Sequence, residues 1–186
     1  MDELTELLSP LPRFRAAQII KWIASGASSF SEMENLPLPL RKDFAQRFAL
    51  RAETEVQQYP GGDGTVKLAL HFADGAKVEA VLLNDGDRYT SCLSTQAGCP
   101  IGCVFCKTGA SFVRNLNSSE IVEQFIQLGT LAGNARPDKG ASPHPVANIV
   151  VMGMGEPLLN LAELRKALSV ICCKGGLNFS RRRITV

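Results

Sequence analysis

Hydrophobic positions in the first fifty residues recur at the three- and four-residue spacing of amphipathic helices. Pro12 is a typical helix-start residue and marks the beginning of the first helix. The apolar positions of that helix are Phe14, Ala17, Ile20, Ile23 and Ala24. A second helix is predicted from Leu38 to Leu50. The pattern predicts a small helical accessory domain over residues 1–55.

Two β-type runs follow, Val66–Phe72 and Lys77–Leu83, and the pair Asp74-Gly75 lies between them. An Asp-Gly turn between two strand-like runs is a strong hairpin signal. We therefore expect a β-hairpin linker region over residues 56–87.

From residue 88 onward, strand and helix patterns alternate. The predicted elements are a strand at 88–95, a helix after 117, a strand at 149–152, a helix at 161–171 and a strand from 183. Asn117 and Glu120 have the spacing of a capping box, and residues 133–145 are predicted to be a solvated connector. Alternating strands and helices predict an α/β fold with a parallel sheet over residues 88–186. A parallel sheet that stops at its third strand exposes an edge, so we expect the chain to be truncated at its C-terminus.

Composition narrows the class of protein. The 186 residues are 45% hydrophobic and 20% charged, with a net charge of +2, which excludes a disordered or strongly basic chain but permits an RNA partner. No apolar stretch approaches the roughly 20 residues that span a bilayer. The first four residues, Met1 to Leu4, carry two acids and no basic region, unlike a secretory signal. We expect a cytoplasmic protein without a membrane partner.

The six cysteines provide the strongest chemical signal. Cys99, Cys103 and Cys106 form a Cys-x3-Cys-x2-Cys run, and thiols this close in a reducing compartment favour a metal site over a disulfide framework. Three thiolates on one loop favour an iron–sulfur cluster with one open iron position. A zinc site with Cys92 or His71 as its fourth ligand is the alternative.

A second candidate segment, Gly153–Pro157, follows the strand predicted at 149–152. Ligand sites in α/β folds lie at the carboxyl ends of strands. Glycine allows a ligand to approach the backbone, and Glu156 could accept a hydrogen bond from an ammonium group. Gly155 and Glu156 are therefore candidate cofactor-binding residues, although a plain turn explains the same segment.

The cysteine run, with an aromatic residue before its last cysteine, resembles the cluster loop of the radical S-adenosylmethionine superfamily. Within it the chain resembles the RlmN/Cfr family, closest to the RlmN type, at residues 14–16, 21–23, 94–99, 107–109, 114–116, 120–124, 152–160 and 182–186. The resemblance implies that residues 88–186 form the N-terminal portion of a partial (β/α) barrel. It also implies that Cys99, Cys103 and Cys106 hold a [4Fe-4S] cluster and that Gly155 and Glu156 bind S-adenosyl-L-methionine.

The same resemblance implies an activity: methylation of C2 of an adenine in 23S rRNA and in tRNA, through a methyl-cysteine relay. Glu79 matches the family glutamate that moves the proton of the reacting adenine carbon, and Cys92 matches the cysteine that resolves the protein–RNA adduct. An electron donor such as a flavodoxin or ferredoxin is implied, and we expect a monomer. The family's methyl-carrying cysteine has no counterpart in these residues, so we expect this chain alone to be inactive.

Three alternatives stay open. A Cfr-type enzyme would share the cluster and methylate C8 of adenine. A zinc-stabilised RNA-binding module would use the same cysteines without catalysis. A truncated, non-catalytic paralogue would carry the motifs without the activity.

Overall fold

The computed structural model describes residues 12–135, 145–174 and 176–186. Four α-helices lie in these residues: α1 (Arg13–Ala24), α2 (Leu38–Arg47), α3 (Ser118–Ala135) and α4 (Leu161–Ile171). The strands are β1 (Glu53–Pro60), β2 (Val66–Phe72), β3 (Lys77–Asn84), β4 (Tyr89–Cys92), β5 (Gln96–Gly98), β6 (Phe112–Asn115), β7 (Asn148–Val150) and β8 (Ile184–Thr185). Short 3₁₀ turns occur at Phe30–Glu32, Lys107–Ala110, Pro157–Asn160 and Arg181–Arg183.

Six strands form one sheet in the order β1-β2-β3-β4-β7-β8. Neighbours from β1 to β4 are antiparallel, whereas β4, β7 and β8 are parallel. Helix α3 lies between β4 and β7 in the chain, and α4 lies between β7 and β8. The mixed α/β fold and the parallel βαβ units predicted from the sequence are confirmed.

The predicted helices are present, but the buried side of α1 differs from the prediction. Ala16 and Ile19 are buried, while Phe14 is 55% exposed and Ala17 is also exposed. Helix α2 ends at Arg47 rather than at Leu50, because Phe48 has extended backbone angles. Helix α3 begins as predicted: the Asn117 side chain accepts from the Glu120 N–H at 3.0 Å, and the Glu120 carboxylate accepts from the Asn117 N–H at 2.9 Å.

Two structural features were not predicted. Strand β1 contains Glu53, Thr54, Glu55, Gln57 and Gln58, and this polar composition conceals a strand that pairs along the whole of β2. Strands β5 and β6 form a separate hairpin on either side of the cysteine run. The segment predicted as a linker hairpin thus supplies strands to the same sheet as β4, β7 and β8. Most of the predicted connector at 133–145 lies outside the described residues.

The main core lies on one face of the six-stranded sheet. Its largest fully buried side chains are Phe125, Leu68, Leu70, Leu82, Leu93, Leu116, Ile121, Leu128 and Ile149. Helix α3 covers this face at β3 and β4 and also packs on α4. Each buried leucine or isoleucine contributes roughly 1.5–3 kcal/mol, so this layer provides most of the driving force for the fold.

The first helices form a second, smaller core around Phe30, Met33, Leu36 and Phe44. An ion pair joins the segment after α2 to α3, with the Arg51 guanidinium 2.9 Å from the Glu123 carboxylate. Both side chains are largely buried. In the described parts of the chain, no helix is long and apolar enough to cross a membrane.

Residues of the sheet that alternate with the core positions lie on the opposite face. They include Lys67, Glu79, Val81, Cys92 and Val150, which we call the accessible face because each is half-buried or exposed. The register supports this grouping, since Val81 pairs with Lys67 and with Cys92, and Cys92 pairs with Val150. Glu79 and Cys92, which the sequence implicated separately, therefore share one surface of the sheet.

A buried carboxyl group beside the Arg51–Glu123 pair makes stability pH-dependent. Burial and the charge of Glu123 raise the pKa of Glu53 to about 7, from 4.5. A group whose pKa is raised in the folded state stabilises the fold fully below about pH 4.5, and this contribution is lost as the pH rises through 7. Glu53→Gln should remove that loss, so its urea-unfolding midpoint should exceed that of the wild type above pH 7. Equal pH dependence in both proteins would contradict this assignment.

Candidate active site

The cysteine loop is held at its base by the β5–β6 hairpin. Cys99 donates its backbone N–H to the carbonyl of Ser111 at 3.0 Å, which closes the loop. Gly98 has a φ of +80°, and a Cβ at this position would lie 1.8 Å from the Ser111 carbonyl oxygen. Only glycine allows the two strands to approach this closely.

The three predicted cluster ligands lie outside the core. Cys99 is half-buried, and Cys103 and Cys106 are exposed, as are the intervening Val104 and Phe105. All six cysteines lie in the described residues, where they form no disulfide bond. Across residues 12–135, 145–174 and 176–186, no three histidine, cysteine or carboxylate side chains are close enough to hold a metal ion. The donor set nevertheless fits an iron–sulfur cluster, since three thiols share one accessible loop.

Arg114 anchors the cysteine hairpin to the rest of the molecule. Its guanidinium bonds to both carboxylate oxygens of Glu120 at 2.8 Å and to the Asp74 carboxylate in the β2–β3 turn. The Arg114 guanidinium lowers the pKa of Asp74 to about 2. One side chain therefore fixes the hairpin to the start of α3 and to the sheet. Sequence patterns assign no role to Arg114, because its partners Asp74 and Glu120 lie 40 and 6 residues away and match no local side-chain spacing.

The segment Gly153–Pro157 packs directly against the cysteine hairpin. The Met154 carbonyl accepts from the backbone N–H groups of Thr95 and Gln96 at 2.9 and 3.2 Å. The Gln96 side-chain oxygen accepts from the Glu156 N–H at 2.8 Å, and its amide donates to the Asn115 side chain at 2.7 Å. The predicted cofactor loop and the predicted cluster loop thus share one network.

Gly155 has no room for a side chain. Its φ is +97°, and a Cβ there would lie 2.6 Å from the Cβ of Gln96. The Glu156 carboxylate accepts from the Leu158 N–H at 3.2 Å at the start of a short 3₁₀ turn, and Glu156 is half-buried. The buried Asn160 amide donates to the carbonyls of Thr95 and Leu116 at 2.8 and 2.7 Å. This arrangement leaves Gly155 and Glu156 on the surface beside the hairpin.

Ser94 connects Glu79 to the same network. Its buried hydroxyl donates to the Glu79 carbonyl at 2.5 Å and accepts from the Met154 N–H at 2.7 Å. The Gln124 side chain bonds to both the N–H and the carbonyl of Ser94, at 2.8 and 3.0 Å. Ser94 and Gln124 are buried polar residues to which sequence patterns assign no role. Both side chains are hydrogen-bonded in the structure, and these bonds identify them as parts of the network.

Glu79 and Cys92 lie on the accessible face near this network. Residue Val81 is opposite Cys92, so Glu79, two residues along β3, is the diagonal neighbour of Cys92, a position that is usually about 7–8 Å away in an antiparallel pair. The Glu79 carboxylate is half exposed and forms an ion pair with Lys67 at 2.8 Å. Burial raises the pKa of the Cys92 thiol, and a hydrogen bond from the Met152 backbone opposes that effect to a smaller extent.

Comparisons with known proteins show which proteins this chain is similar to. Residues 3–50 match the family model described as the ribosomal RNA large subunit methyltransferase N-terminal domain. The chain is 45% identical, over 93% of its length, to the probable dual-specificity RNA methyltransferase RlmN of Thermus thermophilus, of which it covers 47%. It is 44% identical, over its full length, to the probable RlmN of Rhodopirellula baltica, of which it covers 49%.

The chain is similar to about half the length of RlmN proteins. A solved structure supports the fold: a radical SAM methyltransferase from Sphaerobacter thermophilus has 37% sequence identity and a TM-score of 0.87 over 97% of this chain. The predicted radical SAM fold class and the predicted resemblance to the RlmN type are therefore confirmed. The chain covers 53% of that structure and spans about half the length of the curated relatives it matches.

The close approach at Gly98 can be tested with a matched glycine. Gly98→Ala and Gly75→Ala both place alanine at positive φ, +80° and +83°, which costs about 1–2 kcal/mol. No described atom lies within 4 Å of a Cβ at Gly75, whereas the Ser111 carbonyl lies at 1.8 Å from one at Gly98. Chemical unfolding should show an additional loss of about 2 kcal/mol or more for Gly98→Ala. Equal losses would contradict the tight hairpin.

The burial of Cys92 predicts low reactivity toward small electrophiles. Iodoacetamide reacts with thiolates, so Cys92 should be alkylated more slowly at pH 8 than the exposed Cys103. Peptide mass spectrometry over a time course measures both rates in one sample. Urea-unfolded protein is the control, in which the difference should disappear. Equal rates in the folded protein would contradict the environment assigned to Cys92.

Proposed function

We propose that the protein carrying this chain is an RlmN-type radical SAM methyltransferase that methylates C2 of an adenine in 23S rRNA and in tRNA. One observation carries the proposal: the Gln96 network joins the three-cysteine hairpin to the Gly153–Pro157 loop. Relatives named dual-specificity RNA methyltransferase RlmN support the substrate class. The proposal concerns a protein in which this span is combined with the remainder of the family's length.

Cys99, Cys103 and Cys106 would hold a [4Fe-4S] cluster, and Gly155 and Glu156 would hold the amino group of S-adenosyl-L-methionine. When bound, the cluster supplies the single electron that cleaves the sulfonium of the cofactor. The chain's own contribution is placement, because Gln96 holds the Glu156 backbone against the hairpin that carries the thiols. The glycine at 155 allows that contact, since any side chain would collide with Gln96.

Glu79 would accept the proton that leaves the reacting adenine carbon, using an exposed carboxylate oxygen on the accessible face. Cys92, as its thiolate, would attack the sulfur of the methylene thioether that joins RNA to the enzyme. An S–S bond would form, the bond from sulfur to the methylene carbon would break with its electron pair on that carbon, and a proton such as the one that Glu79 had accepted would complete the methyl group of the released base. The raised pKa of Cys92 keeps its thiol protonated, and hence unreactive toward other partners, until a base removes the proton. Both side chains lie on one face of one sheet, which suits successive action on the same base.

The remaining assignments follow from the same proposal. Residues 1–55 would form a helical accessory domain, residues 56–87 the hairpin region and residues 88–186 the N-terminal part of the barrel. The partners would be 23S rRNA, tRNA and an electron donor such as a flavodoxin or ferredoxin. The enzyme would work in the cytoplasm as a monomer.

Cluster assembly provides a test that does not depend on activity. After anaerobic reconstitution with ferrous iron and sulfide, the wild type should bind about four iron atoms and absorb in the visible range. Cys103→Ser should lose most of both signals, whereas Cys173→Ser, at the end of α4, should retain them. Stoichiometric zinc in place of iron would refute the cluster and favour a zinc-stabilised module.

The regiochemistry requires the complete enzyme with RNA, reductant and cofactor. Mass spectrometry of nucleosides from the digested RNA should show 2-methyladenosine. The formation of 8-methyladenosine would overturn the RlmN-type assignment in favour of a Cfr-type activity.

A further inference from the structure

Lys67 has a position on the accessible face that the proposed mechanism does not use. Its ammonium lies 2.8 Å from the Glu79 carboxylate and 5.4 Å from the centre of the Tyr59 ring. The register explains this contact, since Lys67 on β2 is opposite Val81 and Glu79 is two residues from Val81 on β3. Tyr59 on β1 is directly opposite Lys67. Tyr59, Lys67 and Glu79 are thus neighbours on three adjacent strands, with Glu79 diagonal to Lys67.

The fold does not need this ion pair. The Lys67 and Glu79 side chains are 43% and 50% exposed, and exposed ion pairs contribute little to stability. The buried layer on the other face of the same strands provides the packing, including Leu68 and Leu70 beside Lys67. A role for Lys67 must therefore be sought in its effect on Glu79.

A carboxylate that accepts a proton from carbon must be ionised and correctly directed before the reaction. A free glutamate side chain has several rotamers, and a charged hydrogen bond selects among them. The backbone of Glu79 is already fixed by Ser94 and by Met154, whose sulfur lies 3.2 Å from the Glu79 nitrogen. Among the contacts described for this residue, Lys67 supplies the bond to the carboxylate itself.

We propose that Lys67 is a positioning residue for Glu79: its ammonium, 2.8 Å from the carboxylate, holds that carboxylate on the face that carries Cys92. This inference rests on the proposed role of Glu79 as the proton acceptor. The ring of Tyr59 restricts the lysine in turn, because a cation is attracted to the face of an aromatic ring.

Steady-state kinetics of the complete, cluster-loaded enzyme test the proposal. Lys67→Met should lower kcat by about tenfold while the KM for RNA changes by less than about twofold. Lys67→Arg should recover most of the lost kcat.

Lys77→Met is the matched control, since Lys77 lies on the same strand and face as Glu79 and carries the same charge as Lys67. It should leave kcat and the KM for RNA unchanged. If Lys67→Met raises KM alone, Lys67 contacts RNA rather than positioning Glu79, and the proposal is overturned. A Lys67→Met enzyme that behaves like Lys77→Met overturns it as well.

A measurement that does not require catalytic turnover tests the Lys67–Glu79 pair separately from the proposed function. The hydrogen bond to Glu79 raises the pKa of Lys67, so Glu79→Gln should lower it in an NMR titration of the lysine side chain. An unchanged Lys67 titration would show that the pair does not form in solution and would overturn the inference. If Glu79→Gln retains full turnover, the role of Glu79 fails and Lys67 fails with it. If Glu79→Gln is inactive while Lys67→Met is normal, only the present inference fails.

Discussion

The candidate site depends on the hydrogen bonds that join the chain after β4 to the loop after β7. Ser94, Thr95 and Gln96 all bond to residues Met154–Glu156, through backbone and side-chain atoms. β4 and β7 are parallel neighbours, so both loops leave the same edge of the sheet. Because Ser94, Thr95 and Gln96 are buried, breaking one of these bonds would leave a buried polar group unsatisfied at a cost of about 1–3 kcal/mol. The hydrogen bonds between the two loops therefore fix the distance between them.

The same bonds connect chemistry to folding. Ser94 belongs to the network and also binds the backbone of Glu79, and Arg114 ties the hairpin to α3 and to the β2–β3 turn. Any change in the register of the sheet would move the three-cysteine loop, the Gly153–Pro157 loop and Glu79 together. Register in turn is set by the leucines and isoleucine of the buried face, since a shift by one residue would expose all of them. The hydrophobic core thus determines the distances on the opposite, accessible face.

Sequence patterns predicted the features that residues close together in the chain form, and they missed the features that depend on contacts between distant residues. The capping box at Asn117–Glu120 and the Asp74-Gly75 hairpin were predictable, since their bonds form between near neighbours. Strand β1 was not, because its polar residues match no periodic pattern and its pairing with β2 supplies the stability. For the site, spacing indicated the three cysteines and Gly155, yet it could not show Gln96 as their link. An amide that bonds to Glu156, 60 residues away, leaves no trace in local spacing.

The three-cysteine loop is fixed at its base and exposed at its tip, and the cluster that the tip would bind explains this difference. Cys103 and Cys106 are exposed, with Val104 and Phe105 beside them, while Gly98 and Ser111 are locked at the base. Thiolates held close together repel one another without a cation, so packing the three thiols in advance would cost free energy. A cluster would compensate that repulsion when it binds, because its iron atoms neutralise the thiolates. The Cys99–Ser111 hydrogen bond fixes the base of the loop, and the Gly153–Pro157 loop, bonded through Gln96, lies at that base. A fixed base beside thiols that are brought together only when a cluster binds therefore satisfies both the positioning and the electrostatic requirements of one site.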